Sequence, residues 1–326
     1  MRIFSGIQPT GAKHFGNYSG GFRQYAATQN LGDAFFCIVD LHSLTTPQDP
    51  EGLREATLDL AAMLLATGLD PDRSTIFLQS HVPAHAECAW ITSCIATYGE
   101  LRRMTQFKEK GKGQESVSAG LFMYPALMAA DILLYQTDKV PIGDDQRQHL
   151  ELTRNVAERF NSRYGETFKL PEAIYRQVGA RVMDLQEPER KMSTTGGTPQ
   201  GTIGLLDPPD TVRRKIRSAV TDSGSGVRRA DDKPGITNLI DIMAVATGSS
   251  PDEIESRYDG SGYGKFKEEV AEAVVGVLDP IRLRYGELRG NPDELRGILA
   301  RGAAKAETIA SETLGTVYER VGLVAS

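Results

Sequence analysis

Three short apolar runs in the first half of the chain constrain its fold most strongly. Residues 3–7, 34–40 and 75–79 are rich in β-branched and aromatic side chains and too short for helices, so they read as buried strands. Helical patterns lie between them and beyond, near residues 20–29, 53–67 and 86–98. Apolar strands alternating with helices predict an α/β fold: a parallel sheet covered by helices on both faces. Ligands of such sheets bind beyond the carboxyl ends of the strands, where loops enter helices. Motifs that directly follow a strand therefore carry most weight.

From Asp210 onwards the pattern turns nearly all helical, over residues 211–220, 236–247, 251–258, 264–285 and 293–321. Ser250-Pro251-Asp252-Glu253 and Asn291-Pro292-Asp293-Glu294 mark helix starts. The expected division is a sheet domain over 1–200, a helical domain over 201–290, and a C-terminal helix over 291–326 that packs back on the sheet. A chain of 326 residues, 40% hydrophobic and 25% charged, can bury a substantial core.

The net charge of −6 argues against non-specific coating of nucleic acid but leaves room for a local basic patch. Arg102, Arg103, Lys108, Lys110 and Lys112 form one candidate, and Arg213, Arg214, Lys215 and Arg217 another; either also reads as a solvated face. Three cysteines make no disulfide framework and suggest a reducing compartment. No signal peptide is visible, and the apolar stretch 121–135 is interrupted by Pro125 and Asp131. A cytoplasmic protein with no membrane span is expected.

Two loops carry candidate chemistry. The first, over residues 5–18, leaves the first strand, passes Gly6, Gly11 and Gly16, and offers His14 and Asn17 as donors. Glycine at a helix entrance lets a nucleotide approach the backbone, where free N–H groups attract phosphate. The second is Lys191-Met192-Ser193-Thr194-Thr195, followed by two glycines: a lysine beside hydroxyls that can clamp a polyphosphate. Taken alone, each also reads as an ordinary turn or linker.

In this order the two loops resemble the HIGH and KMSKS signatures of class I aminoacyl-tRNA synthetases. The segments GIQPTG, HFGNY, SAVTDSG, RVMDLQEPERKMS and above all the long block over 125–161 are similar to bacterial-type tryptophanyl-tRNA synthetases, from about Phe4 to Val321. The resemblance implies a Rossmann-like catalytic domain, a helical anticodon-binding domain and a homodimer. It implies L-tryptophan, ATP with Mg²⁺ carried by the nucleotide, and tRNA(Trp) as ligands, with no metal site on the protein. The implied ATP site comprises Gln8, Pro9, Thr10, Gly16, Asn17, Gly143, Asp144, Asp145, Val182, Lys191, Met192, Ser193, Thr194 and Thr195. His14, Asn17, Lys110, Lys191 and Ser193 would serve the chemistry, with Lys110 and Lys191 on the triphosphate.

For tryptophan the resemblance implies Asp131 as acceptor for the indole N–H. Phe4, Met128, Ile132 and Val140 would be apolar walls, and Tyr124 and Gln146 contacts to the amino-acid head. The physical logic agrees, because a selective indole pocket needs shape and one buried acceptor. A carboxylate between Ala130 and Ile132 demands a partner, which in another protein is most often a nearby Lys or Arg.

The chain departs from the usual signature where Thr194 replaces a lysine and Thr195 a serine. His81, His85, Cys88 and Cys94 crowd together, but the spacing matches no common metal site. They read as two half-exposed histidines and two buried thiols around Trp90. Tyrosyl-tRNA synthetase, a nucleotidyltransferase making a dinucleotide cofactor, and a tryptophan-binding paralogue that regulates rather than charges tRNA are the rival readings.

Overall fold

The computed structural model describes residues 1–9, 11–105, 107, 117–143, 146–175, 182–194 and 197–324. Its sheet contains β1 (Arg2–Ile7), β2 (Asp33–Ile38), β3 (Ser74–Leu78), β4 (Lys139–Ile142) and β5 (Glu172–Tyr175), in the order β3-β2-β1-β4-β5. Every pairing is parallel, with Phe4 opposite Phe35, Phe35 opposite Thr75, and Val140 opposite Ala173. The chain builds outward from β1 to β3, then returns to the other side of β1 for β4. That reversal leaves a crevice beyond the ends of β1 and β4.

The strand runs are apolar on both sides because both sheet faces are covered. Phe36 and Ile38 of β2 enter one core, and Phe35 and Cys37 enter the other. After β1 come α1 (Phe15–Asn17), a π-helical segment (Tyr18–Phe22) and α2 (Arg23–Thr28). The β2–β3 crossover holds α3 (Asp40–Ser43) and α4 (Pro50–Ala66). A 3₁₀ turn (Gln79–His81), α5 (Ala84–Ile95), α6 (Tyr98–Arg103) and α7 (Ala119–Leu133) lead to β4, and α8 (Arg147–Tyr164) leads to β5. The apolar stretch with Pro125 and Asp131 is thus α7, which packs between α5 and α8.

The remainder is helical: α9 (Pro209–Arg217), α10 (Pro234–Thr247), α11 (Pro251–Arg257), α12 (Gly262–Gly290) and α13 (Pro292–Val321). Ser250 caps α11 in a capping box with Glu253, and the Asn291 side chain accepts the Glu294 N–H at the start of α13. The core on the Phe36 face continues without a break into Ile236, Leu239, Phe266 and Val274 of these helices. Helix α13 lies along β3, so closely that a Cβ on Gly302 would fall 1.9 Å from the Ile76 carbonyl oxygen.

Two features go beyond the sequence reading. The apolar pattern gives no sign of β4 and β5, each four residues long. Of the four basic residues on α9, Arg213 pairs with Asp210 and Glu272 and Lys215 with Asp207 and the Thr202 carbonyl, while Arg214 and Arg217 are exposed. No helix among the described residues is long and apolar enough to cross a membrane.

Candidate active site

A cavity of about 330 Å³ opens at the crevice where the strand order reverses. β1 and its exit supply Phe4, Ser5, Gly6 and Gln8, and β4 and its exit supply Val140, Pro141, Ile142 and Gly143. Helix α7 forms a wall with Tyr124, Met128, Asp131 and Ile132; His42 comes from α3, and Gln146 and His149 from the start of α8. The seven residues that the sequence offers for tryptophan, namely Phe4, Tyr124, Met128, Asp131, Ile132, Val140 and Gln146, all line this cavity. So do Gln8 and Gly143 of the nucleotide set.

Asp131 is the electrostatic centre of the pocket. It is 1% exposed, yet among the described residues no lysine or arginine neutralises it. Its Oδ1 accepts from Gln79 Nε2 at 2.7 Å and His85 Nδ1 at 2.6 Å, and its Oδ2 accepts from His42 Nε2 at 2.9 Å. Burial alone would raise its pKa; the hydrogen bonds from His42 and His85 outweigh burial and hold it well below the usual carboxylate range. The carboxylate is therefore ionised, and Oδ2, with one donor against the two on Oδ1, keeps acceptor capacity. Each donor is itself fixed. Gln79 Oε1 accepts the Leu41 N–H at 3.1 Å, which orients its amide nitrogen toward Asp131. Asp40 accepts from the Leu41 and Ser80 N–H groups, tying α3 to the 79–81 turn.

Two turns earlier on α7, a second polar pair lines the cavity, with the Tyr124 hydroxyl 2.6 Å from His149 Nε2. Behind the apolar wall, Phe4 stacks on Tyr135 with ring centroids 5.4 Å apart and an interplanar angle of 13°.

The two signature loops meet beside this cavity. The Phe15 N–H donates to Ile203 and the Leu205 N–H to Lys13, pinning the first loop against residues 203–205. His14 is the N-cap of α1: its Nδ1 accepts the Gly16 N–H at 3.1 Å, and its own N–H donates to Asn17 Oδ1 at 2.9 Å. The ring proton thus sits on Nε2, and the Asn17 amide nitrogen takes no part in the cap. Burial and the neighbouring Lys191 and Lys13 lower the His14 pKa to about 4, so the imidazole is neutral at pH 7. A Cβ at Gly16 would lie 2.9 Å from His14 Cε1, so a larger residue there would push on the capping ring.

Of the second loop, Met192 is buried and donates its N–H to Val182, Lys191 is exposed and bridges Met183, and the Thr202 hydroxyl donates to the Ser193 carbonyl. The Thr194 hydroxyl donates to the Ala12 carbonyl at 3.4 Å, so the loops touch. Pro9 is buried beside Gln8 at the exit of β1. Thr10, Lys110, Asp144, Asp145 and Thr195 lie outside the described residues. Helix α1 is three residues long before the π-helical segment, so the side chains of His14, Asn17 and Lys191 matter more here than a helix dipole.

His42, Gln79, His85, Tyr135 and His149 were absent from the residues offered by sequence for the pocket. His42 and Gln79 do follow strands β2 and β3, the places that deserve most weight. The histidine–cysteine cluster also reads differently in three dimensions. His81 is exposed and His85 fully buried, while Cys88 is buried and Cys94 exposed. Trp90 is 71% exposed, not the centre of a buried group. His85 therefore belongs to Asp131. No group of three or more potential metal ligands occurs among the described residues.

The model of the class I tRNA synthetases (W and Y) matches residues 1–279. The tryptophan–tRNA ligase of Caldanaerobacter subterraneus subsp. tengcongensis is 53% identical over 324 residues, covering 99% of this chain and 98% of that one. The chain belongs to the bacterial-type tryptophanyl-tRNA synthetases. Tryptophan–tRNA ligase 2 of Streptomyces avermitilis is 51% identical over 327 residues, covering 99% and 97%. Among solved structures, the Campylobacter jejuni tryptophanyl-tRNA synthetase complexed with ADP and tryptophan superposes with a TM-score of 0.86 at 38% identity, over 99% and 100% of the two chains. The family and the α/β fold expected from the sequence both hold. This synthetase presents its Thr194 to the backbone of Ala12, where the common signature carries an ammonium group.

Proposed function

We propose that the chain activates L-tryptophan with ATP to tryptophanyl-adenylate and transfers the aminoacyl group to tRNA(Trp), releasing pyrophosphate and AMP. The observation that carries this reading is Asp131, an ionised and buried carboxylate held by three donors in the wall of a cavity lined by both apolar and polar side chains. Its free acceptor capacity suits one N–H on a large apolar ring. A phenyl side chain would leave that acceptor unpaired, which is the costly kind of mismatch. The cavity, about 330 Å³, is within the range of small-molecule pockets. Phe4, Met128, Ile132 and Val140 suit the indole faces, and Tyr124 and Gln146 the amino-acid head.

In the first step the tryptophan carboxylate attacks the α-phosphorus in line and pyrophosphate leaves. The attacking group is already ionised, so positioning and charge stabilisation matter and a general base does not. His14 offers an Nε2–H donor and Lys191 a cation at the meeting of the two loops, both suited to phosphate oxygens. The described donors there are cationic or neutral, a set that fits an anionic nucleotide. Mg²⁺ would be held by the triphosphate itself and would neutralise charge on the leaving group. In the second step a ribose hydroxyl of the tRNA terminus attacks the acyl carbon and AMP departs.

The division into a catalytic region over 1–200, an anticodon-binding region over 201–290 and a returning C-terminal helix is part of the same reading. So are a homodimer and a cytoplasmic location. An exposed stripe of Ala86, Trp90 and Cys94 on α5, continued by Tyr98 on α6, supports a second copy of the chain as the partner of that face.

Tryptophan-dependent ATP–pyrophosphate exchange, with tyrosine and phenylalanine as controls and tRNA charging as the second readout, tests this reading. Exchange with tryptophan alone, followed by charging, is expected. Exchange driven by tyrosine, or tryptophan binding without exchange, would overturn it in favour of the tyrosyl or the regulatory reading.

A further inference from the structure

Asp131 is held charged and in a fixed orientation by three partners that all donate to it. Two of them are imidazoles, and an imidazole donates from a given nitrogen in one neutral tautomer and accepts there in the other. For His85 the carboxylate favours the proton on Nδ1, and a residue that never reaches the cavity reinforces that choice from the other nitrogen. Its Nε2 lies 2.7 Å from the Tyr135 hydroxyl, and both side chains are fully buried. Among the described residues that nitrogen is the one hydrogen-bond partner of the hydroxyl. A buried hydroxyl proton left unpaired is costly, so Tyr135 donates to Nε2. The proton of the ring must then sit on Nδ1, facing Asp131 Oδ1 at 2.6 Å.

Tyr135 also supports the apolar side of the same pocket. Its ring stacks on Phe4, which lines the cavity, and on Phe35 with centroids 5.0 Å apart. One side chain thus backs the indole wall with its ring and controls the indole acceptor with its hydroxyl.

We infer that Tyr135 and His85 are specificity-determining positioning residues: the Tyr135 hydroxyl locks the His85 tautomer that keeps Asp131 presented to the indole N–H. Without that hydroxyl, the carboxylate alone holds the His85 proton on Nδ1, and the tautomer with the proton on Nε2 gains population. Its Nδ1 lone pair would then face the carboxylate, and Asp131 would lose a donor and its fixed orientation. This inference rests on the tryptophan reading given above and deepens it.

The test compares tryptophan with its benzothienyl analogue, 3-benzothienylalanine, in which sulfur replaces the indole N–H. Both exchange kinetics and equilibrium binding are measured. Activity of the unaltered chain tests the functional reading, and the preference ratio among variants tests this inference, so the two fail separately. Tyr135→Phe is expected to lower the preference for tryptophan by about tenfold or more. The change should lie in the tryptophan KM, with kcat and the ATP KM within roughly threefold. His85→Asn, whose amide donor lies near the position of Nδ1 and cannot tautomerise, should retain the preference. Adding Tyr135→Phe to it should change nothing further. His85→Leu, with no donor, should lose the preference.

Thermal unfolding is followed for every variant. A Tyr135→Phe effect that weakens both substrates equally would reveal a merely structural role and overturn the inference. An effect that persists undiminished in the His85→Asn background would do the same. Should Tyr135→Phe fail to fold, His85→Asn against His85→Leu decides alone: equal loss of preference in the two overturns it.

Discussion

The Thr194 hydroxyl donates to the Ala12 carbonyl at 3.4 Å, so the second signature loop rests on the first at the position where a lysine is usual. A threonine held there supplies no charge to a departing pyrophosphate. Lys191, the cation whose field reaches His14, remains. Removing one charge-assisted contact made in the transition state costs about 10²–10³ in rate when it is central. Lys191→Ala is therefore expected to lower kcat for adenylate formation by about 100-fold. Thr194→Ala should change it by less than about threefold, and Thr194→Lys should raise it by less than about tenfold. Single-turnover adenylate formation measures all three; a larger gain with Thr194→Lys would mean that the loop lacks a cation it needs.

The neutral, capping imidazole of His14 makes stability depend on pH. Its pKa is about 4 in the folded chain against 6.5 for the unperturbed group. Between those values the unfolded chain binds the extra proton and the folded chain does not, so folding stability rises with pH across that window. The contribution is fully present above about pH 6.5 and is lost as pH falls toward 4. His14→Asn keeps a capping oxygen but cannot titrate. Melting temperatures between pH 4 and 6.5 should fall less steeply on acidification in His14→Asn than in the parent; identical slopes would contradict the assignment.

Helix α13 depends on Gly302 for its seat on β3. A methyl group there would meet the backbone oxygen of Ile76 at 1.9 Å, and backbone cannot move aside as a flexible side chain would. Gly302→Ala should cost about 1–3 kcal/mol through overpacking, despite alanine's better helix propensity. A fall in Tm of about 3 °C or more is expected by differential scanning calorimetry. A rise in Tm would mean that the helix is not bound to the strand.

The parts of the fold that read most clearly are those whose burial is local in sequence. β1, β2 and β3 are covered on both faces and so show as short runs rich in β-branched and aromatic residues. β4 and β5 are four residues each, and β5, at the sheet edge with both end residues exposed, offers too little apolar sequence to stand out. The caps at Ser250 and Asn291 are legible because a cap and its N3 partner lie three residues apart. In the pocket, Asp131 stands out as a carboxylate within an apolar helix, but its partners come from α3, the turn after β3, and α5. No local pattern announces a partnership of that kind. His85 shows why: spacing groups it with His81 and cysteines, while the fold turns His81 to the surface and His85 into the core beside Asp131. Arg213 and Lys215 cluster in sequence as a basic face, yet tertiary ion pairs with Glu272 and Asp207 absorb much of their charge.

Substitution of Asp131 by asparagine tests the central claim most directly. The amide keeps the size of the side chain but removes its charge and turns one oxygen into a donor among three donors. Tryptophan-dependent ATP–pyrophosphate exchange should proceed in the parent chain. In Asp131→Asn, kcat/KM for tryptophan should fall by about 100-fold or more, roughly 3 kcal/mol, with the ATP KM little changed. Parental exchange by Asp131→Asn would contradict the claim that this carboxylate reads the indole N–H.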